Sequence, residues 1–363
     1  MFRKPSSPEQ PGSPASVTDA APCQKALRLR VPPETVAPVR QRVVAEVQRQ
    51  AVLPGFRKGK APADLVERHY AQRIQDETLQ RVMQEAFEQA AKDHALKPIG
   101  PFEVQTAQVG AAGEVLLEAT VEVEPSFALG PYKGLALTRQ PADVGPEEVA
   151  RVLASLQESM AQLVPRKEGE GKERQVPPLD DELAKDLGFT SLPELRAHAE
   201  AKLREQKRAA SAQALEQALF DALLARHTFE LPPRLVSHQT ERLTREFKTR
   251  LLLAGKSEEQ VAQAMEPFLE RLRTSAERQV KLSFILDRIA AQESVTVAQE
   301  DVVKRLWQLA QRWKKDPAQV RQRFDAQGLW PSVVSALRQE KTVALVLASA
   351  AIENGAEPKE ERA

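Results

Sequence analysis

Residues 55–62 read Gly-Phe-Arg-Lys-Gly-Lys-Ala-Pro, and Pro54 stands immediately before them. Glycine and proline end flanking helices and set tight turns, so the side chains of Phe56, Arg57, Lys58 and Lys60 are expected at a loop tip. Helical patterns lie on both sides. Residues 34–50 cluster Val36, Val39, Val43, Val44 and Val47 on one side, and residues 63–95 form a long amphipathic stretch with a break expected near 70–72. An aromatic ringed by cations suits a phosphate-rich surface that also offers something apolar. By composition alone, a solvated basic turn between two helices reads equally well.

Outward from this stretch, Leu27, Leu29 and Val31 alternate with charged residues, as in a half-exposed strand. Residues 102–108 and 114–125 read as a hairpin around Gly110 and Gly113, with Leu117, Ala119, Val121 and Val123 alternating in its second arm. Residues 135–139 add a short extended piece. The segment 24–140 is therefore expected to be a small α+β domain whose loop tip joins two helices. Residues 1–23, rich in Pro, Ser and Ala, read as a disordered leader without the apolar region of a signal peptide.

Pro146 is well placed to open a helix, and Val149, Val152, Leu153, Leu156, Met160 and Leu163 follow at helical spacing. Residues 165–178 read as a charged linker, so 141–178 is taken as a linker helix and short loop. The remainder, 179–353, is helical. Ser191 with Glu194 and Ser257 with Gln260 fit capping boxes, the second opening a helix expected to run to residue 292. A last helix is expected over 331–352, and 354–363 is a charged tail expected to be disordered.

The octapeptide and its surroundings resemble the ribosome-docking signature of the bacterial trigger factor family, chaperones of the nascent-chain exit tunnel. The resemblance covers residues 25–140 by motif and 146–352 by pattern. It implies an α+β ribosome-binding domain followed by a mostly α-helical, elongated chaperone domain with arm-like helices. It also implies ribosome contacts at Phe56, Arg57 and Lys58, with Gly55, Gly59, Lys60 and Pro62 shaping the loop. Its partners would be rRNA, a ribosomal protein at the tunnel exit, and unfolded or nascent polypeptides; a homodimer is left open. Full-length members carry an isomerase domain of the FKBP type where this chain has residues 165–178. Fourteen residues cannot fold into such a domain, so this is read as a form without isomerase activity, not an enzyme and without cofactors.

Composition fits that expectation. The net charge of 363 residues is only +1, so any RNA contact should be local rather than spread over the surface. Cys23 is the lone cysteine, which excludes an intramolecular disulfide and suits a reducing cytoplasm. No apolar run approaches the roughly 20 residues that span a bilayer. The five histidines, His69, His94, His198, His227 and His238, share no motif and read as surface or packing residues. The acidic run Asp180, Asp181 and Glu182 reads as a helix start rather than a metal site. Apolar stripes on the later helices are mostly core. Those left outside would bind extended chains weakly and without reading sequence, with Val152, Leu156, Met160, Leu306 and Trp307 as candidate client contacts. A ribosome-assembly or RNA-associated factor, or a holdase without ribosome affinity, are the rival readings.

Overall fold

The computed structural model describes residues 15–110, 113–165 and 172–355. The chain opens with strands β1 (Ala15–Ala21) and β2 (Gln24–Val31), followed by helix α1 (Pro33–Gln50). After the basic loop come α2 (Ala63–His69), α3 (Ala71–Asp93) and the strands β3 (Glu103–Val109) and β4 (Val115–Glu122). Next are β5 (Ala136–Arg139), α4 (Pro146–Ser159), β6 (Gln162–Pro165) and β7 (Lys172–Gln175). Helices α5 (Asp181–Asp186), α6 (Leu192–Arg226), α7 (Pro233–Leu253), α8 (Glu258–Met265) and α9 (Leu269–Gln292) follow. Then come α10 (Gln299–Trp313), α11 (Pro317–Gln327), α12 (Trp330–Ala348) and β8 (Ala351–Asn354). Two compact units result. One joins the chain up to Phe127 with Phe229–Lys281; the other joins Ala128–Thr228 with the chain from Leu282 onward.

The first unit is built on an antiparallel sheet of order β1-β2-β4-β3. Leu27, Leu29 and Val31 of β2 face Ala119, Leu117 and Val115 of β4 in register. All six are buried against Val39 of α1 and Val82, Phe87 and Ala90 of α3. Phe87 stacks on Phe102 with ring centroids 4.4 Å apart. Each large apolar side chain buried here stabilises by roughly 1.5–3 kcal/mol. The opposite face carries cross-strand charge pairs, Arg28 with Glu118 at 3.1 Å and Arg30 with Glu114 at 3.6 Å.

A second cluster continues from the first along α1 and α3. Val43, Val44 and Val47 pack with Val66 of α2 and Ile74 of α3, and Ala51, Leu53 and Ala61 of the loop's limbs join them. In the same unit α7 is tied to the sheet by one carboxylate. Buried Glu122 accepts the backbone N–H groups of Arg234 (2.7 Å) and Leu235 (3.2 Å), two donors that the first turn of a helix leaves unsatisfied. The Arg234 guanidinium pairs with Glu103 at 2.6 Å.

In the second unit β5 and β8 pair in parallel, Leu137 opposite Ile352. Helix α6, about 52 Å long at 1.5 Å per residue, buries Leu215, Leu219 and Leu223 at helical spacing. Ser211 donates to the carbonyl of Gln140 at 2.6 Å. Near its start, Leu195 and Ala199 pack with Leu153 of α4. Further on, Ala310 of α10 packs with Val320 and Phe324 of α11.

Several expectations are corrected. Residues 15–21 are not part of a disordered leader: they form β1, an edge strand paired with β2. Its residues are half-exposed or exposed, so apolar alternation was too thin to announce it. Residues 1–14 lie outside the described residues. The helix from Pro146 stops at Ser159, and Leu163 belongs to the backbone of β6. The linker reading of 165–178 gives way to the β6–β7 pairing, with 166–171 outside the described residues. The helix from Ser257 breaks at Pro267 into α8, a 3₁₀ turn (Glu266–Phe268) and α9, because proline removes one donor and crowds the preceding turn. The last helix ends at Ala348, and residues up to Asn354 pair with β5 rather than fraying. Residues 356–363 lie outside the described residues. Residues 135–139, taken with the first domain, contribute β5 to the second unit.

Candidate functional site

The loop between α1 and α2 is two tight turns in series. Phe56 N–H donates to the Leu53 carbonyl at 3.1 Å, with Pro54 and Gly55 in the corner. Lys60 N–H donates to the Arg57 carbonyl at 2.9 Å, with Lys58 and Gly59 in the corner. Gly55 and Gly59 hold φ of +85° and +75°, the left-handed region that glycine enters without steric cost. A third bond, Gly59 N–H to the Ala51 carbonyl at 3.2 Å, ties the outgoing limb to the incoming one.

Two side chains complete the base. Gln48 Nε2 donates to the Ala61 carbonyl at 2.7 Å on the outgoing limb. On the incoming limb, the Tyr70 phenol receives the N–H of Val52 (3.4 Å) and donates to its carbonyl (3.2 Å). Buried Ala51, Leu53 and Ala61 anchor this base in the second apolar cluster. The tip is outside: Phe56 is 42% exposed, Arg57, Lys58, Lys60 and Pro62 are exposed, and Gly59 is half-buried.

Electrostatics separates the tip from its supports. Arg40 pairs with Glu67 at 2.8 Å, Arg42 with Glu85 at 2.9 Å, Arg73 with Glu77 at 2.7 Å, and Arg81 with Glu46. The hydrogen bond from Arg81 holds the Glu46 carboxyl below the usual carboxylate range. Among the described residues, no ion pair engages Arg57, Lys58 or Lys60. Three cations without an ion pair among the described residues and an exposed phenyl ring therefore stand on a braced platform.

All five candidate client contacts lie in the second unit, and three of them pack into two apolar clusters. Val152 and Leu156 are half-buried against the α4–α6 cluster. Met160 is the half-buried C-cap of α4. Leu306 packs on the Ala310, Val320 and Phe324 cluster, whereas Trp307, one position along, is 55% exposed. Sequence reading passed over Gln48, Val52 and Tyr70. Their partners lie 13 to 18 residues away, so no local spacing marks them.

Among the described residues, no group of three His, Cys, Asp or Glu side chains is placed to hold a metal ion. Asp180 accepts the N–H groups of Glu182 (3.0 Å) and Leu183 (3.1 Å) as a helix cap. Glu194 reaches Thr190 rather than Ser191, a correction to the expected capping box. His69, His94, His198 and His238 are exposed. His227 is buried, its Nε2 accepting the Gly130 N–H at 2.9 Å and its Nδ1 2.7 Å from the Leu223 carbonyl, a packing role. No helix among the described residues is long and apolar enough to cross a membrane.

Comparison with known proteins agrees with this architecture. Residues 14–156 match the family described as bacterial trigger factor protein, and residues 191–348 match its C-terminal region. The trigger factor of Desulforamulus reducens is 26% identical over 417 residues, covering 91% of this chain and 96% of that protein. That of Anaeromyxobacter dehalogenans is 26% identical over 426 residues, covering 93% and 99%. Both alignments are longer than this 363-residue chain, so the relatives carry residues that it lacks. A solved structure described as "Promiscuous Substrate Recognition in Folding and Assembly Activities of the Trigger Factor Chaperone" shares the fold, with a TM-score of 0.52 at 19% identity. It covers 92% of this chain and 99% of that one. The fold and the matched regions define a molecular chaperone built from an α+β sheet region and a long helical one. The chain belongs to the bacterial trigger factor family.

Proposed function

We propose that this chaperone docks on the ribosome beside the nascent-chain exit through residues 55–62 and shields apolar stretches of newly made or unfolded polypeptides in the cytoplasm. One observation carries the docking half. Among the described residues, Arg57, Lys58 and Lys60 are exposed without ion pairs on a loop whose base is buried and hydrogen-bonded, while Arg40, Arg42, Arg73 and Arg81 on the supporting helices are paired. Cations left free in this way keep their charge for an outside anion, and a braced loop loses little conformational entropy on binding. In this reading Arg57 and Lys58 meet rRNA phosphate or acidic protein side chains, and Phe56 inserts against a protein partner. Gly55, Gly59, Lys60 and Pro62 shape the loop.

For the holding half, a related structure is described in terms of promiscuous substrate recognition, and the same is proposed here. Exposed apolar side chains such as Trp307, together with half-buried Val152, Leu156, Met160 and Leu306, would offer weak contacts. Many such contacts hold a chain collectively and release it quickly, so no nucleotide is required. Isomerase activity is not part of this reading. The two family matches leave residues 157–190 between them, too short a segment for the missing domain.

The test is ribosome affinity measured across salt concentration. Two or three phosphate contacts give a log–log slope of about −2 to −3, and Arg57→Ala/Lys58→Ala should bring it to about −1 or less. The same variant should still suppress aggregation of a denatured protein. A factor that only binds RNA would show the steep slope without suppression; equal slopes for both proteins would remove the loop from the contact.

A further inference from the structure

The incoming limb of the loop holds an apolar side chain that folding does not use. Ala51 is 4% exposed, Val52 66% and Leu53 9%, an in–out–in pattern over three residues. Ala51 and Leu53 are spent on the second apolar cluster, and Val52 is turned to solvent between them. Its orientation is held from behind. Both backbone polar groups of Val52 are bonded to the single oxygen of Tyr70, at 3.4 Å for the N–H and 3.2 Å for the carbonyl. Tyr70 itself packs partly into the same cluster. The Val52 backbone is thereby bonded to the protein without pairing to a strand, with its side chain outward.

Resting on the docking role of residues 55–62, we propose that Val52 is a further contact of that surface. It fits an apolar depression on a ribosomal protein rather than RNA, with Tyr70 as its positioning residue. Val52 lies one residue before the turn that Leu53 opens and Phe56 closes, and both Val52 and Phe56 are exposed. A valine carries no donor, acceptor or charge, and it has no π-face for a base to stack on. Phosphate and bases therefore gain nothing from it, whereas an apolar protein surface does. Charge is supplied separately by Arg57, Lys58 and Lys60. The surface would thus be divided, with cations for the phosphate side and Val52 with Phe56 for the protein side.

Equilibrium binding to vacant ribosomes at two salt concentrations tests this, comparing wild type, Val52→Ser, Tyr70→Phe and Phe56→Ala/Arg57→Ala/Lys58→Ala. Thermal melts of the same proteins serve as the folding control. Val52→Ser should weaken binding roughly tenfold at both salts, the loss of one central apolar contact. The salt slope should stay parallel to wild type, and the melt should not move because the side chain is exposed. Tyr70→Phe removes the clip and keeps the ring, and should weaken binding severalfold, again with an unchanged slope. Wild-type affinity for Val52→Ser beside a defective triple variant overturns the proposal alone. A reduced salt slope for Val52→Ser overturns it too, because the residue would then act through the cations or on RNA. Wild-type binding by the triple variant overturns the docking reading itself.

Discussion

Gly59 sits against Arg49 so closely that a Cβ built on the glycine would stand 3.0 Å from the arginine's carbonyl oxygen. At Gly55, also left-handed, a Cβ would meet nothing within 4 Å. The two glycines of the loop therefore carry different constraints. Gly55→Ala adds only the backbone cost of φ above zero, about 1 kcal/mol. Gly59→Ala adds that cost and a tight contact that makes the Arg49 backbone give by a few tenths of an ångström, beside the bond from Gly59 N–H to Ala51. Ribosome affinity and melting temperature should fall further for Gly59→Ala than for Gly55→Ala. Equal effects would mean that the limbs can separate freely.

Glu122 is the predicted weak point of the first unit. Replacing it with alanine leaves two backbone donors at the start of α7 without acceptors and leaves Arg234 with Glu103 alone. A fully buried orphaned donor costs about 1–3 kcal/mol and these partly buried ones about 1 kcal/mol or less each, and the helix start loses a favourable negative charge. Urea unfolding should show a lower midpoint for Glu122→Ala. Glu122→Gln, which keeps one acceptor, should recover part of the difference.

Tyr132, Lys133 and Glu293 make a pH-sensitive triad in the second unit. Tyr132 donates to Glu293 at 2.5 Å and Lys133 lies 2.7 Å from the same carboxylate. The bond from Lys133, then that from Tyr132, lowers the Glu293 pKa. The bond to Glu293, with burial, raises that of Tyr132 to about 12. A lowered carboxyl contributes stability above its unfolded pKa and loses it as pH falls through the folded one. A raised phenol contributes below its unfolded pKa, near 10, and loses it as pH rises through about 12. Tyr132→Phe should remove this alkaline loss, and Glu293→Gln should remove both the acid and the alkaline components. Melting curves from pH 3 to 12 would show it.

Leu306 and Trp307 are neighbours in sequence with opposite expected phenotypes. Leu306 packs on Val320 and Phe324, so Leu306→Ala should cost about 2 kcal/mol of stability. Trp307 is mostly outside, so Trp307→Ser should leave unfolding within about 0.5 kcal/mol. Under the proposed client role, it should also slow the suppression of aggregation. If both variants merely destabilise, the exposed tryptophan is not a client contact.

Much of this architecture was legible because strong local signals coincided. Valines on one side of residues 34–50, the breakers at 54–62, and alternation around Leu117 and Leu27 each mark an element without reference to distant residues. The octapeptide marked its loop through glycine and proline alone. What stayed hidden depended on long-range pairing. β1 contains one large apolar residue and exists because β2 offered an open edge. β8 pairs with β5 more than 200 residues away, so Ala351 and Ile352 read as a helix end and Asn354 as the start of a charged tail. Of the β6–β7 pairing, β6 read largely as a continuation of the helix from Pro146 and β7 hid inside a charged run. Within the site, the tip residues were readable but their supports were not, since Tyr70 and Gln48 act on backbone groups that only folding brings near.

The most direct measurement is co-sedimentation with purified ribosomes at physiological salt, comparing wild type with Phe56→Ala/Arg57→Ala/Lys58→Ala. Wild type should pellet with the ribosomes and the triple variant should remain in the supernatant, with the same melting temperature as wild type. Equal pelleting of the two proteins would contradict the account.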